Sequence, residues 1–187
     1  MTKRRQRGAL LTVGEICIYA MLGALLTAAD LVMNVLPNVH LGGMLMVVFT
    51  LVYRAKALFP IYVYVFLVGA FEGYGIWWVS YLYIWAILWL MVMLLPRKMP
   101  RWLAPMVYAL VCAAHGFAFG LFWAPSQMLF FGYTWEQTLI WWQFGFLYAD
   151  IPHGIANLIG GVVIVPLSTL LRKLDRQTVK AAPLLPQ

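Results

Sequence analysis

Charged residues are scarce in this chain. Asp, Glu, Lys and Arg together make up 10% of its 187 residues, while hydrophobic residues make up 64%. A water-soluble domain carries about a quarter charged residues. The composition therefore excludes a soluble globular protein. It predicts an all-α integral membrane protein forming a single domain, because long apolar runs are typical of transmembrane helices.

Cysteine, histidine and catalytic motifs are also scarce. Cys17 and Cys112 both fall in apolar runs, so we interpret them as small buried residues without a disulfide. The chain has no HExxH, paired-cysteine, nucleophile-elbow or Walker motif. Its three histidines lie on distant segments and do not form a zinc-binding pattern. We expect no catalytic residue, no metal and no cofactor, and any ATP-driven activity must use a partner protein.

The basic residues are present in a pattern that predicts the topology. The 13 Lys and Arg residues form clusters around Lys3–Arg7, Arg54–Lys56, Arg97–Arg101 and Arg172–Lys180. Two helices fit between successive clusters, and cytoplasmic loops carry the Lys and Arg excess. We therefore expect six transmembrane helices with both termini cytoplasmic. The cations would meet lipid of the inner leaflet, and their dispersal at helix ends gives no support to nucleic-acid binding.

The six predicted spans follow from the apolar runs between these clusters. They cover about 10–33, 41–53, 57–71, 78–95, 102–122 and 149–171 of the chain. Residues 1–9 form a basic N-terminus, residues 10–172 the helix bundle and residues 173–187 a cytoplasmic tail. The first apolar run is too long for a cleavable signal peptide.

Three local alternatives remain open at this point. A single helix over 41–71 competes with the hairpin, but it would bury Arg54 and Lys56 at about 2.5–3.5 kcal/mol each. The hairpin is therefore preferred. The segment 126–148 either lies in the membrane interface or forms the outer part of a long last helix. Pro152 either opens the last helix or kinks a longer one.

A ladder of small residues runs down the first predicted helix. Ala20, Ala24 and Ala28 are four residues apart and share one face, with Gly23 and Thr27 beside them. Such a face lets another helix approach closely in lipid. It indicates either docking of a partner or ordinary packing within the bundle.

Aromatic and polar residues concentrate at one end of the predicted helix bundle, the end that we expect to face the outside of the cell. Trp78, Tyr81, Trp85 and Trp89 follow helical spacing and predict either a stacking wall for a ligand or core packing. Asp150, His153 and Asn157 share another helix face, where an Asp–His pair serves as a proton relay, part of a metal site or a helix cap. The candidate ligand-binding residues are Asp30, Asn34, Asn38, His40, Tyr74, Trp78, Tyr81, Trp85, Trp89, Trp142, Asp150, His153 and Asn157.

These residues together give a family resemblance. The spacing Ala20-x-x-x-Ala24-x-x-x-Ala28, the polar loop that follows, the basic helix ends and Asp150-x-x-His153-x-x-x-Asn157 ahead of Pro166-Leu167 resemble the S components of energy-coupling factor (ECF) vitamin transporters. The resemblance implies a membrane subunit that binds a vitamin near the extracellular side. It also implies docking, through Ala20, Ala24 and Ala28, onto a transmembrane coupling protein joined to two cytosolic ATPases. Toppling in the membrane would then release the vitamin inside.

The charge map restricts the ligand. Under the six-helix topology no Lys or Arg lies outside, so a carboxylate-bearing vitamin would lack its usual cationic partner. We therefore expect a bulky neutral vitamin, with cobalamin favoured and thiamine, a queuosine-type nucleobase or pantothenate as competitors. The alternative class is a membrane scaffold or a stand-alone proton-linked permease with Asp30, Asp150 and His153 as its relay.

Overall fold

A computed structural model describes residues 11–35 and 40–181, with side chains up to residue 177, and these residues form helices and no strand. The all-α prediction is confirmed for this part of the chain. The helices are α1 Val13–Met33, α2 Gly42–Tyr53, α3 Leu58–Glu72, α4 Ile76–Leu94, α5 Leu103–Phe117, α6 Phe119–Phe122, α7 Ala124–Phe131, α8 Trp135–Gly145, α9 Ile151–Gly160 and α10 Ile164–Ala181.

Helix α1 begins at a capping box and packs along α3. The Thr12 hydroxyl accepts a hydrogen bond from the Glu15 backbone N–H at 3.3 Å, and the Glu15 carboxylate accepts one from the Thr12 N–H at 2.9 Å. These bonds satisfy two of the free N–H groups of the first turn. Gly23 lies against Val63 and Pro60 of α3 so closely that an added Cβ would clash. Small residues on this face therefore set the α1–α3 distance.

The chain reverses at Arg54, between α2 and α3. Arg54 has φ 55° and ψ −123°, and a short 3₁₀ turn, Arg54–Ala57, follows. Asp30 of α1 contacts both His40, just before α2, and Tyr64 of α3. One straight helix could not bring both to the same carboxylate, so α2 and α3 form the predicted hairpin. Lys56 in this turn pairs with Glu15 at the start of α1. We call this end of the bundle the basic end, because Arg54 and Lys56 lie there.

The hydrophobic core lies where α2, α3 and α4 meet. Its fully buried side chains include Val47 of α2, Ile61 and Val65 of α3, Leu88 of α4 and Ile164 of α10. Burial of such side chains inside the bundle fixes the hairpin against its neighbours. It thereby positions the elements around the cavity described below.

The fifth predicted span is bent. We expected one helix over 102–122, but α5 ends at Phe117 and the segment Phe119–Phe131 departs from it by 58°. Just after the break, the Gly120 N–H is donated to the Asp150 carboxylate at 2.9 Å. A side chain on a distant helix thus takes over a backbone donor that a continuous helix would have used.

The last helical run is longer than the predicted span 149–171. It extends from α8 to α10, and it includes a π-helical segment, Phe146–Asp150, directly before Pro152. Proline lacks an N–H and disturbs the backbone ladder on its N-terminal side, where π-turns absorb the mismatch. Of the alternatives left open, Pro152 therefore lies within a longer run. Part of the segment 126–148 forms α8, the outer part of that run.

Several of these helices are long and apolar enough to cross a membrane. Four helical runs have this length and composition, Val13–Met33, Gly42–Glu72, Ile76–Leu94 and Trp135–Gln177, of which the second is folded back at Arg54. The bent pair Leu103–Phe117 with Phe119–Phe131 is a fifth if counted as one span. The fold is therefore compatible with a multi-pass membrane protein. The predicted number of six differs because each arm of the Gly42–Glu72 hairpin was counted separately.

Candidate ligand-binding cavity

A cavity of about 140 Å³ lies toward the end of the bundle opposite the basic end. It lies between the end of α1, the start of α2, the middle of α3 and α4, and the start of α9. Its lining residues are Asp30, His40, Gly42, Tyr64, Tyr81, Trp85, Phe119, Ala149 and His153. Five of the residues predicted from the sequence are among them: Asp30, His40, Tyr81, Trp85 and His153.

Asp30 is the polar centre of this cavity. One carboxylate oxygen lies 3.1 Å from His40 Nδ1, and the other accepts a hydrogen bond from the Tyr64 hydroxyl at 3.2 Å. The Asp30 side chain is almost fully buried. Buried carboxylates require such partners, because an unpaired charge loses its hydration. The Asp–His pair of this protein is therefore Asp30–His40.

The wall facing Asp30 is aromatic. The Trp85 ring meets Tyr81 and Tyr64 edge-on, with centroid distances of 5.4 and 6.1 Å. Phe119 lies 5.5 Å from the same indole and stacks on His153 at 4.7 Å. Edge-to-face and offset contacts of this kind hold the rings in fixed orientations. The cavity is thus a rigid aromatic chamber with one carboxylate.

Two polar atoms on residues that line the cavity have no hydrogen-bond partner in the described part of the chain. They are Trp85 Nε1 and His153 Nε2, on side chains that are 3% and 5% exposed. Most buried polar atoms in proteins are hydrogen-bonded, and leaving one unpaired is unfavourable. The indole N–H can only donate, whereas the imidazole nitrogen donates or accepts according to its tautomer. A ligand that offers an acceptor to Trp85 would satisfy this wall.

Asp150 does not pair with His153, although the two residues share a helix face. Its carboxylate accepts hydrogen bonds from Trp142 Nε1 at 2.8 Å and from the Gly120 N–H at 2.9 Å. The His153 ring instead lies 5.6 Å from the His40 ring. Asp150 and Trp142 border a separate apolar groove of about 260 Å³. We therefore interpret Asp150 as a structural residue, whose two hydrogen bonds connect the bent fifth segment with the last helical run.

Asn157 is buried one turn beyond His153 but does not line the cavity. Its amide lies between two glycines: a Cβ on Gly43 would be 3.0 Å from Asn157 Oδ1, and one on Gly116 would be 2.8 Å from Asn157 Nδ2. Neither amide atom has a hydrogen-bond partner among the described residues. At Gly116 a Cβ would also lie 2.9 Å from Gly154 Cα, so a larger residue would force the backbone or the amide to move, whereas at Gly43 the fit is only tight.

The remaining predicted ligand-binding residues lie away from the cavity. Trp78 donates its indole N–H to Val65 O at 2.8 Å, and Trp89 donates to Arg54 O at 3.0 Å at the basic end. The four aromatic residues predicted to form one face of α4 thus have different surroundings. Trp78 contacts α3, Tyr81 and Trp85 line the cavity, and Trp89 contacts the turn at Arg54. Tyr74 donates to Phe66 O and Asn34 to the Glu72 carboxylate. Asn38 lies outside the described residues.

Sequence reasoning missed three kinds of lining residue. Tyr64 carries a polar atom within an otherwise apolar span, which is the signal that was overlooked. Phe119 follows the break in the fifth segment, and that break was not predicted. Gly42 and Ala149 contribute backbone and a small side chain, for which the sequence has no distinct signal. His115, which does not line the cavity, is fully buried, lies 3.0 Å from Ile84 O through Nε2 and stacks beside Trp85 at 5.7 Å.

The small-residue ladder on α1 has two sides. Ala20, Ala24 and Ala28 are exposed, whereas Gly23 and Thr27 are buried against α3. The Thr27 hydroxyl also donates a hydrogen bond to Gly23 O at 3.0 Å. The packing within the bundle therefore uses the neighbours of the ladder and leaves the alanine face open.

No group of three or more His, Cys, Asp or Glu residues in the described ranges could hold a metal ion. Comparison with protein-family models finds no match. Searches of curated proteins and of solved structures likewise find no similar protein.

Proposed function

We propose that this protein is a membrane-embedded binding subunit that captures a small, partly aromatic ligand in the Asp30–Trp85–His153 cavity. The observation that carries the proposal is an aromatic cavity around one buried carboxylate, two of whose lining residues carry buried polar atoms without a partner among the described residues, Trp85 Nε1 and His153 Nε2. Preformed cavities with a few convergent polar groups are typical of small-molecule sites. The family resemblance extends the proposal to an S component of an ECF vitamin importer in a bacterial plasma membrane.

The lining chemistry favours a neutral or cationic ligand. No Lys or Arg lines the cavity, and Asp30 contributes its one carboxylate. Aromatic rings with a nearby carboxylate suit a heteroaromatic cation. A carboxylate-bearing vitamin such as pantothenate would face Asp30 without a counter-charge.

The size of the cavity changes the order of the ligands. Pockets for cofactor-sized ligands span roughly 300–1,000 Å³, whereas this cavity is about 140 Å³. We therefore place thiamine and queuosine-type nucleobases ahead of cobalamin. Cobalamin would require α1 and α2 to separate.

The transport steps follow from the same proposal. The two arms of the hairpin would each cross the membrane, giving six crossings with both termini in the cytoplasm. The exposed Ala20, Ala24 and Ala28 face of α1 would dock onto the coupling protein, which two cytosolic ATPases drive. Close helix approach across small residues supports this assignment.

A stand-alone proton-linked permease is the second candidate. The observation that favours it is the series Asp30–His40–His153, with 3.1 Å between the first pair and ring centroids 5.6 Å apart in the second. Purification separates the two candidates. An S component co-purifies with a coupling protein and two ATPases, whereas a permease transports its substrate in liposomes alone.

The test of ligand binding is calorimetry on one purified preparation with thiamine, a queuosine-type nucleobase, cobalamin and pantothenate. We expect saturable binding of thiamine or the nucleobase, lost in Trp85→Ala. Losing a buried aromatic anchor weakens binding roughly tenfold or more. Binding of pantothenate alone would contradict the charge argument, and binding that Trp85→Ala leaves unchanged would contradict the cavity.

A further inference from the structure

A second cavity, of about 240 Å³, lies at the basic end of the bundle and is lined by three arginines from distant segments. Arg54 comes from the turn between α2 and α3, Arg97 from the segment after α4, and Arg172 from α10. The rest of the lining is Leu51, Val92, Leu95, Pro96 and Tyr108. Folding therefore brings together guanidinium groups that are 43 and 75 residues apart in sequence, by difference of their numbers.

No acidic residue of the described chain forms an ion pair with these three arginines, although Asp175, one turn beyond Arg172 on α10, lies near Tyr53. The two ion pairs in residues 11–35 and 40–177 join His40 with Asp30 and Lys56 with Glu15, and neither involves the three arginines. Like charges in proximity repel unless an anion lies between them. The cavity also contains no acidic lining residue.

Two of the arginines are held in place by the backbone. One N–H of Arg54 donates to Met93 O at 3.2 Å, and one of Arg172 donates to Leu51 O at 2.7 Å. A guanidinium has five N–H donors, so each of these side chains retains donors for a ligand. The Arg54 Nε atom is buried and has no partner among the described residues.

The backbone of Arg54 gives independent support. It is the only non-glycine residue with positive φ in the described part of the chain. Glycine adopts this conformation at least cost, and strained residues of other types cluster at functional sites. A glycine would form this turn with less backbone strain, whereas an arginine here adds its guanidinium group to the lining of the cavity.

We propose that this cavity binds a phosphate-bearing anion, supplied either by the head group of an anionic lipid or by a soluble phosphate. Arginine forks match phosphate oxygens in paired hydrogen bonds, and three of them suit a group with several acceptor oxygens. An adjoining depression of about 460 Å³ shares Arg172 and adds Lys173 and Arg176, which extends the positive surface for a larger head group. Under the proposed topology the site faces the inner leaflet, where anionic lipids concentrate. It is separate from the ligand cavity and does not depend on the identity of the vitamin.

The test compares two double variants of the full chain in an uncharged detergent. Arg97→Gln with Arg172→Gln removes two of the lining cations. Lys98→Gln with Arg101→Gln removes two exposed cations beside the same segment that do not line the cavity. Both pairs lower the net charge equally, so a general electrostatic effect would appear in both. Native mass spectrometry measures binding of phosphatidylglycerol, and calorimetry measures binding of inorganic phosphate.

We expect saturable binding of at least one probe, weakened roughly tenfold or more in the first double variant, the scale of losing charge-assisted hydrogen bonds. The second double variant should bind like the parent. Binding of phosphatidylglycerol identifies the lipid head group as the source, and binding of phosphate alone identifies a soluble one. Equal losses in the two double variants, or no saturable binding of either probe, would overturn the proposal. A single elution peak for each variant shows that it is folded.

Discussion

Trp85 and Trp89 are one helical turn apart on α4, yet their indole N–H groups have different surroundings. Trp89 donates to Arg54 O at 3.0 Å and secures the turn at the basic end. Trp85 lines the cavity, and its Nε1 atom has no partner among the described residues. The difference arises from the backbone opposite each ring, which residue type and spacing do not encode. The two tryptophans therefore provide a matched pair for experiment.

At Trp85, the substitution Trp85→Phe keeps an aromatic ring and removes the indole N–H. We expect the ligand found by calorimetry to bind roughly tenfold more weakly, the scale of one lost hydrogen bond in a desolvated site. Trp89→Phe should leave the Kd unchanged and lower the melting temperature, because Arg54 O loses its donor. Equal Kd values for the two variants would show that the Trp85 N–H does not contact the ligand.

At Asp150, the substitution Asp150→Asn tests the structural role of the carboxylate. Its two oxygens accept hydrogen bonds from Trp142 and Gly120, and an amide offers one acceptor oxygen to those two donors. Leaving a buried donor unpaired costs about 1–3 kcal/mol. We expect a lower melting temperature in detergent and an unchanged ligand Kd.

The control for Asp150→Asn is Glu136→Gln, the same change of carboxylate to amide on the exposed surface of α8. It should leave the melting temperature where it is. If Asp150→Asn instead weakens ligand binding at an unaltered melting temperature, Asp150 belongs to the binding site and the structural interpretation is wrong.

Helix α1 uses its small residues for two purposes at the scale of the element. Gly23 and Thr27 face α3, and their size permits the close contact with Val63 and Pro60. Ala20, Ala24 and Ala28 remain exposed. Helix packing inside the bundle therefore does not account for the alanine face, which under the proposed function would receive a helix of the coupling protein.

On that face, Ala24→Trp is expected to abolish uptake while ligand binding is retained. A bulky indole would hold the coupling protein away from α1, and Ala24 does not line the ligand cavity. The matched control is Leu25→Trp, which adds the same ring to the next exposed residue at a different angle on the helix. Uptake by cells and calorimetry on purified protein measure the two properties. Normal uptake by the Ala24→Trp variant would remove α1 as the docking surface.

Helix boundaries were predictable where local chemistry marks them. The predicted spans 10–33, 41–53, 57–71 and 78–95 agree with α1 to α4 to within three residues, since charged residues, glycine and proline border them. The bend after α5 was not predictable in the same way. It accompanies the hydrogen bond from the Gly120 N–H to Asp150, a contact between residues 30 apart that no local pattern reveals.

At the scale of the whole molecule, the two cavities lie at opposite ends of the bundle and have opposite chemistry. One is aromatic with a single carboxylate, and the other contains three arginines. The charge pattern of the sequence predicts this separation. Its basic clusters lie before, between and after successive pairs of predicted helices, which places them all at one end of the bundle. It could not identify which polar residues meet. Asp30, His40 and Tyr64 converge only because α2 and α3 turn back at Arg54.

The orientation of these two ends is the prediction that tests the whole molecule. We expect the cavity end outside and the basic end inside, because Lys and Arg concentrate on the cytoplasmic side. Cys17 is exposed, so the expectation that both native cysteines are buried was wrong for it and holds for Cys112. In a background with Cys17 changed to Ser and Cys112 retained, we would place single cysteines by Tyr74→Cys, Glu136→Cys and Lys98→Cys. All three positions are exposed. An impermeant maleimide should label the first two in intact cells and the third only after permeabilisation. Labelling of Lys98→Cys in intact cells, with protection of the other two, would invert the topology and place the ligand cavity on the cytoplasmic side. Since import of an extracellular vitamin needs the cavity outside, that result would also refute the proposed function, while leaving the arginine cavity to be judged by its own binding experiment.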